Sequence, residues 1–240
     1  MEGPLLELVG IGKAIGGRRI LREISFRFER GRRYLLVGAN GSGKTTLLKI
    51  IASLMRATTG KVYYRGQEIG ALDGAYLSEI SFLSHQLNMY EELTGLENLE
   101  FFARLYGVDG PRKKAQELLE WVGLKFFAHE RVKNYSQGMR QRLAVAKAVL
   151  HSPRVLLFDE PFAGLDLRGT ELLQEMIAEL LSRGEGLFIL ATHDPELGWH
   201  LTDRYLYLER GELTSWGDRA HFAKEKIEER LRARRDVGVW

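Results

Sequence analysis

A glycine-rich run near the N-terminus has the residues of a phosphate-binding loop. Residues 38–45 read GANGSGKT, which matches the pattern G-x-x-x-x-G-K-[ST] at every fixed position. Glycines let backbone N–H groups turn inward around phosphate oxygens, and the N-terminus of a following helix adds positive potential. Lys44 would reach the β- and γ-phosphates of a nucleotide, and the Thr45 hydroxyl would bind Mg²⁺. The residues expected to contact the nucleotide here are Gly38, Asn40, Gly41, Ser42, Gly43, Lys44, Thr45 and Thr46.

An acidic pair follows a short apolar run later in the chain. Residues 155–158 predict a buried strand, and Asp159 and Glu160 come directly after it. Ligands of open α/β sheets bind beyond the carboxyl ends of the strands, which brings the pair toward the phosphate loop. Asp159 would hold Mg²⁺ through water, and Glu160 would act as general base or orient the attacking water. Alone, such a pair indicates a helix cap or a turn more often than catalysis; together with the loop it predicts nucleotide hydrolysis.

The elements around these residues predict an α/β fold. Residues 5–9 and 20–28 are strand candidates of an N-terminal antiparallel part, and the apolar run 34–37 leads into the phosphate loop and a helix over 45–54. Residues 87–150 carry three apolar stripes at helical spacing, which predict an inserted all-helical lobe. Apolar strands that alternate with helices elsewhere indicate a mostly parallel sheet covered on both faces. The sequence therefore predicts a P-loop NTPase core.

One domain over residues 1–240 accounts for this order of elements. Residues 1–86 and 151–215 would form the nucleotide-binding core, and residues 87–150 the helical lobe. Short strands at 205–208 and 212–214 would form a hairpin. Residues 216–240 would form a C-terminal tail, with a highly charged helix over 218–235 that packs on the domain or contacts a partner or an anionic membrane surface.

The composition fits a globular protein and excludes several functional classes. The chain has 240 residues, 45% of them hydrophobic and 28% charged, and it has no cysteine. Disulfides, thiolate metal sites and cysteine nucleophiles are therefore excluded. No stretch approaches the roughly 18 consecutive apolar residues of a membrane span, and the first residues lack the pattern of a secretory signal. We expect a cytoplasmic protein that forms no pore by itself.

Positive charge is concentrated in two zones, although the net charge is only +3. Residues 12–33 hold eight basic and two acidic side chains, and residues 216–240 hold seven basic and five acidic ones. Such zones could face nucleic acid, anionic lipid or phosphate, and a solvated surface is the more common explanation. Lys44 and the N–H groups of the loop lie outside both zones, so nucleotide binding leaves the zones unexplained.

The order of the motifs resembles that of ATP-binding subunits of ABC transporters, through about residue 215. In that family a glutamine follows the strand after the phosphate loop; Gln86 fits and would contact Mg²⁺ and the attacking water. An LSGGQ-type signature precedes a helix of the helical lobe, and here residues 135–139 read YSQGM. An Ala-Leu-Asp-like turn is matched by residues 164–166, and a histidine after the next strand by His193.

The resemblance implies a head-to-tail dimer with two ATP molecules in its interface. Ser136 and Gly138 of one subunit would meet the γ-phosphate that Lys44 of the other subunit binds. Ser136 is expected to cap a helix whose N-terminus offers free N–H groups to an anion. His193 would contact the γ-phosphate, and Asp166 would couple the two sites.

Two features depart from the family pattern, the signature and the adenine-stacking position. The signature has Gln137 and Met139 where the family has glycine and glutamine, and it retains the phosphate contacts Ser136 and Gly138. The family also places an aromatic residue upstream of the first long strand to stack on adenine, and Ile15 stands at that place.

Ile15→Tyr is expected to tighten ATP binding. Stacking of a base on an aromatic side chain contributes roughly 1–3 kcal/mol on nucleic-acid platforms. The natural chain should therefore discriminate adenine weakly and bind ATP and GTP with similar affinities. Calorimetric titration of both nucleotides into both proteins measures this, and an unchanged ATP affinity of the variant would contradict it.

These features predict an ATPase that drives a membrane transporter through a separate membrane-spanning subunit. The motor would be a homodimer or a pair with a second ABC ATPase, peripheral at the inner face of the membrane. The groove around Gln86, especially residues 87–93, should receive a short helix from the membrane subunit. The Tyr-Ser-x-Gly-Met form of the signature and the lack of a long C-terminal regulatory domain resemble export-type subunits, such as those for drugs, polysaccharides or haem.

Two alternative functions remain open. One is a soluble ABC ATPase that serves a non-transport complex such as iron–sulfur cluster assembly. The other is nucleic-acid binding through the basic N-terminal strand and residues 230–235. We expect no nucleic-acid partner, because proteins of the translation-factor branch carry two ATPase cassettes per chain and this chain has one. The chain also shows no coiled-coil insertion of the DNA-repair type. A transport ATPase should sediment with membranes only when its partner is co-expressed, whereas a nucleic-acid-binding protein should show an affinity for nucleic acid that falls steeply with salt.

Overall fold

The structure is a computed structural model that describes residues 3–72, 74–84, 87–182 and 186–219. Its strands are β1 (Leu6–Ile15), β2 (Arg18–Phe28), β3 (Arg33–Val37), β4 (Thr59–Tyr64), β5 (Gln67–Glu68), β6 (Ile80–Leu83), β7 (Val155–Asp159), β8 (Leu187–Thr192), β9 (Arg204–Glu209) and β10 (Glu212–Asp218). Its α-helices are α1 (Lys44–Ile51), α2 (Gly95–Leu105), α3 (Pro111–Trp121), α4 (Gln137–Val149), α5 (Leu167–Ser182) and α6 (Pro195–Gly198). The α/β prediction is confirmed.

The first sheet is the antiparallel part that the sequence predicts. Its strand order is β2-β1-β4-β5. Ile24 and Phe28 of β2 are buried while Ser25 and Arg27 are exposed, which is the alternation of a strand with one face in the core. This core also contains Leu48 of α1 and Ile189 of β8. Helix α1 therefore packs between the two sheets.

The second sheet has the order β10-β9-β3-β8-β7-β6 and is parallel except at β10. Val37 at the end of β3 pairs with Thr192 at the end of β8, and Asp159 at the end of β7 pairs with Ala191. The carboxyl ends of three neighbouring strands consequently lie side by side. This arrangement sets the phosphate loop next to the acidic pair.

The helical lobe consists of α2, α3 and most of α4. A capping box begins α2, because Thr94 accepts from the Glu97 N–H while the Glu97 carboxylate accepts from the Thr94 N–H. Leu143 of α4 packs in the lobe, whereas Val145 of the same helix packs against Phe158 of β7. Helix α4 thus joins the lobe to the main sheet.

The structure corrects some predicted boundaries. Helix α1 ends at Ile51 rather than at residue 54, because Ser53 takes a left-handed conformation (φ 59°) that ends an α-helix. Strand β10 continues to Asp218, so the tail begins later than residue 216 and its helix cannot begin at Asp218. The remainder of that predicted helix, and Gln86, lie outside the described residues. In the described part of the chain, no helix has both the length and the apolar character needed to cross a lipid bilayer.

Candidate functional site

Close backbone packing shapes the phosphate loop between β3 and α1. A side chain at Gly38 would collide with the Leu208 carbonyl oxygen and the Ser42 hydroxyl. Gly43 has φ 108°, in the region that favours glycine, and a side chain there would strike Leu21. Gly43 also precedes the first turn of α1, whose N–H groups have no partner within the helix. These N–H groups and the macrodipole of α1 suit an anion.

Lys44 lies inside the loop and is only 6% exposed. Its Nζ donates to the carbonyl oxygen of Gly38 at 2.6 Å and to that of Ala39 at 3.3 Å, and it lies 3.7 Å from Glu160 Oε1. Burial lowers the pKa of Lys44, while the charges of Glu160 and Asp159 oppose that shift. A phosphate oxygen is a stronger acceptor for this ammonium than the carbonyl oxygens it now contacts.

Glu160 is fixed by four hydrogen-bonding groups of the β8 end. Its Oε1 accepts from the His193 backbone N–H at 2.8 Å and lies 2.9 Å from His193 Nδ1. Its Oε2 accepts from the Thr192 hydroxyl at 3.1 Å, and its own N–H donates to the Ala191 carbonyl at 2.9 Å. Glu160 has φ 50°, and such strain at a non-glycine residue persists only where the surroundings enforce it. The carboxylate is therefore held in one defined position.

Thr192 is a residue of this site that the sequence reasoning missed. It is fully buried, and its hydroxyl donates to Glu160 and accepts from the Asp194 N–H at 3.1 Å. The available signal was its place directly before His193 at the end of a strand. Thr192 therefore positions the Glu160 carboxylate through its hydroxyl.

Thr192→Val should lower kcat by about tenfold and leave the KM for ATP nearly unchanged. Valine has the same shape but removes a hydrogen bond to a charged group, which contributes about 1.5–3 kcal/mol. Steady-state ATPase assays measure the effect, with Thr192→Ser as the control that keeps the hydroxyl and should keep the rate. Equal loss of activity in both variants would show that packing, rather than the hydroxyl, is what matters.

Asp159 and Thr45 supply the oxygen atoms that suit Mg²⁺. Asp159 ends β7 and is 1% exposed, and its charge acts on Lys44. Within the described residues, no group of three or more His, Cys, Asp or Glu side chains could hold a metal ion by itself. Mg²⁺ commonly binds through one or two protein oxygens and substrate phosphates, and this donor set fits that pattern.

A cavity of about 950 Å³ opens beside the phosphate loop. The loop residues from Asn40 to Thr46 line it together with Glu160, and so do Arg18, Arg19 and Arg22 of β2. The β1–β2 hairpin thereby brings three arginines of the first basic zone, which the sequence leaves unexplained, to the cavity beside the phosphate loop. Ile15 is not among the lining residues.

The signature residues lie elsewhere in the chain. Ser136 caps α4, since its Oγ accepts from the Met139 N–H at 3.3 Å. Asp166 accepts from the Gly169 N–H at 2.8 Å in the first turn of α5. Neither residue, nor Gly138, is among the described residues that line the cavity. The cavity beside the phosphate loop is therefore lined without these signature-region residues.

The chain is similar in sequence to known proteins. The family model described as ABC transporter matches residues 21–163. The uncharacterised ABC transporter ATP-binding protein YdbJ of Bacillus subtilis (strain 168) is 36% identical over 213 residues, which are 89% of this chain and 69% of YdbJ.

Two solved structures are similar in fold. An ATP-binding subunit of an ABC transporter has a TM-score of 0.82 and 26% identity, over 95% of this chain and 99% of that one. The dimeric ATP-binding cassette MJ0796, in a post-hydrolysis state with ADP and Pi, has a TM-score of 0.80 and 28% identity, over 90% of this chain and all of the other.

Proposed function

The chain belongs to the family of ABC transporter ATP-binding proteins and is an ATPase subunit, and we propose that it powers export through a separate membrane subunit by ATP-driven head-to-tail dimerisation. The observation that carries the proposal is the convergence of Lys44, Glu160 and His193 at the ends of neighbouring strands. The direction of transport rests on the YSQGM signature, which resembles that of export-type subunits.

We propose a task for each group in ATP hydrolysis. Lys44 leaves the carbonyl oxygens of the loop and binds the β- and γ-phosphates. Glu160 orients the attacking water and accepts its proton. His193, which directly follows β8 and now contacts Glu160, would also contact the γ-phosphate. Thr45, Asp159 and Gln86 would hold Mg²⁺, which neutralises charge on the phosphate oxygens when bound.

The proposed dimer explains why the signature stands apart from the cavity. The N-terminus of α4, capped by Ser136, presents N–H groups suited to an anion. In a head-to-tail pair, Ser136 and Gly138 would meet the γ-phosphate bound by the other subunit, and Asp166 would lie between the two sites. The dimeric state of MJ0796 with ADP and Pi supports this arrangement. The pair is either two copies of this chain or this chain with a second ABC ATPase.

The membrane subunit would dock in a groove between the main sheet and the helical lobe. A cavity of about 360 Å³ there is lined by apolar side chains including Leu54, Leu77, Leu87 and Phe102. Leu54 is 64% exposed and Leu77 50% exposed, an unusual exposure for neighbouring leucines that a partner helix would cover. Docking here would hold the protein at the inner face of the membrane.

Co-expression with a candidate membrane subunit tests this function. The natural chain should sediment with membranes only when that subunit is present, and Leu54→Glu should remain in the supernatant while it still binds ATP. Phe126→Glu is the matched control, because Phe126 is 95% exposed and lies outside the groove. Sedimentation of Leu54→Glu with the membranes would overturn the docking site, and an ATPase that never associates with membranes would favour a non-transport complex.

A further inference from the structure

The nucleotide cavity has an arginine-rich wall. Besides the loop and Glu160, its described lining consists of Gly17, Ile20, and the arginines Arg18, Arg19, Arg22 and Arg210. No aromatic side chain occurs among these residues. A nucleotide whose phosphates lie at Lys44 and whose base stays within this cavity would place the base against this arginine-rich wall.

The wall is firmly joined to the phosphate loop. The Gly211 N–H donates to the Ser42 carbonyl oxygen at 3.0 Å, and the Arg22 N–H donates to the Gly211 carbonyl oxygen at 2.8 Å. The turn between β9 and β10 thereby connects the loop to β2. A base held by this wall keeps a defined distance from the phosphates.

Arg18 is the arginine best suited to receive a base. It follows the two-residue turn Gly16-Gly17, whose φ angles of 55° and 78° are those of a tight hairpin. Arg18 pairs with Ile15 across this hairpin, so both side chains project from the same face. Its side chain is exposed, and it forms no ion pair with a carboxylate of the described residues. Arg22, in contrast, pairs with Glu212 at 3.4 Å.

We propose that the guanidinium of Arg18 stacks on the purine ring of ATP and serves as the base-binding platform of this site. A guanidinium is planar, weakly hydrated and stacks on aromatic faces. Such stacking accepts any purine, which fits the expectation of similar affinities for ATP and GTP. The inference rests on the nucleotide site proposed above.

Four proteins and two ligands test the platform. The proteins are the natural chain, Arg18→Ala, Arg18→Lys and Arg18→Tyr, and the ligands are ATP and inorganic tripolyphosphate, which lacks a base. Arg18→Ala and Arg18→Lys should each weaken ATP binding by about tenfold and leave tripolyphosphate binding unchanged. Arg18→Tyr should retain the ATP affinity, because its ring replaces the guanidinium plane.

Arg27→Ala is the control for the loss of one positive charge. Arg27 lies on the same strand, outside the cavity, and pairs with Glu7 at 2.6 Å. Equal weakening of ATP and tripolyphosphate by Arg18→Ala would overturn the proposal in favour of a phosphate contact. Unchanged ATP affinity of Arg18→Ala would also overturn it. A natural chain that binds neither ligand would instead refute the nucleotide site itself.

Discussion

Glu160→Gln is expected to lower ATP turnover by about 10²–10⁴-fold while ATP binding is retained. An amide cannot accept the proton of the attacking water, although it has nearly the shape of the carboxylate. The amide oxygen can still accept from the His193 N–H, which now donates to Glu160 at 2.8 Å. The phosphate loop is unchanged by the substitution, so the variant should accumulate with ATP bound.

The measurement combines single-turnover hydrolysis with the state of association. If ATP joins two subunits, the variant should form a dimer in ATP that gel filtration separates from the monomer. Glu175→Gln, on the exposed side of α5, is the control and should hydrolyse ATP at the natural rate. Natural turnover in Glu160→Gln would refute the role of Glu160 and with it the proposed mechanism.

Local sequence signals were sufficient for most of the fold. The spacing of Leu99, Ala103 and their neighbours predicted α2, and all three of Ile24, Phe26 and Phe28 turn toward the core or its edge. These predictions succeed because the side-chain period of a helix or strand is a property of consecutive residues. The phosphate loop was equally clear, since its glycines and Lys44 are contiguous.

Contacts between distant segments were beyond such signals. Thr192 contacts Glu160 because β8 lies beside β7 in the sheet. No spacing of residues along the chain reveals that these two strands are neighbours. The position of the β2 arginines beside the loop likewise depends on the turn at Gly211, which connects β2 to the loop. Both contacts have the same physical origin, because tertiary pairing decides which residues of distant segments touch.

Lys44→Ala should weaken ATP binding by about a hundredfold or more. Hydrogen bonds to charged groups contribute about 1.5–3 kcal/mol each, and Lys44 would provide at least one such bond to the phosphates. Its removal also leaves the charges of Asp159 and Glu160 without the ammonium that now offsets them. The repulsion between these carboxylates and the triphosphate then adds to the loss.

The same substitution should leave the protein folded. Burial lowers the pKa of Lys44, so the unfolded chain holds this proton more tightly than the native chain does. Native stability therefore rises with pH between the lowered pKa and the ordinary value near 10.5, and at neutral pH the buried charge opposes folding. Removal of this charge therefore recovers part of the free energy of unfolding that is lost with the packing of the lysine side chain.

Lys49→Ala, in the last turn of the same helix, is the control. A thermal melt together with calorimetric ATP titration distinguishes lost binding from lost structure. Natural ATP affinity in a folded Lys44→Ala protein would exclude Lys44 as the phosphate ligand.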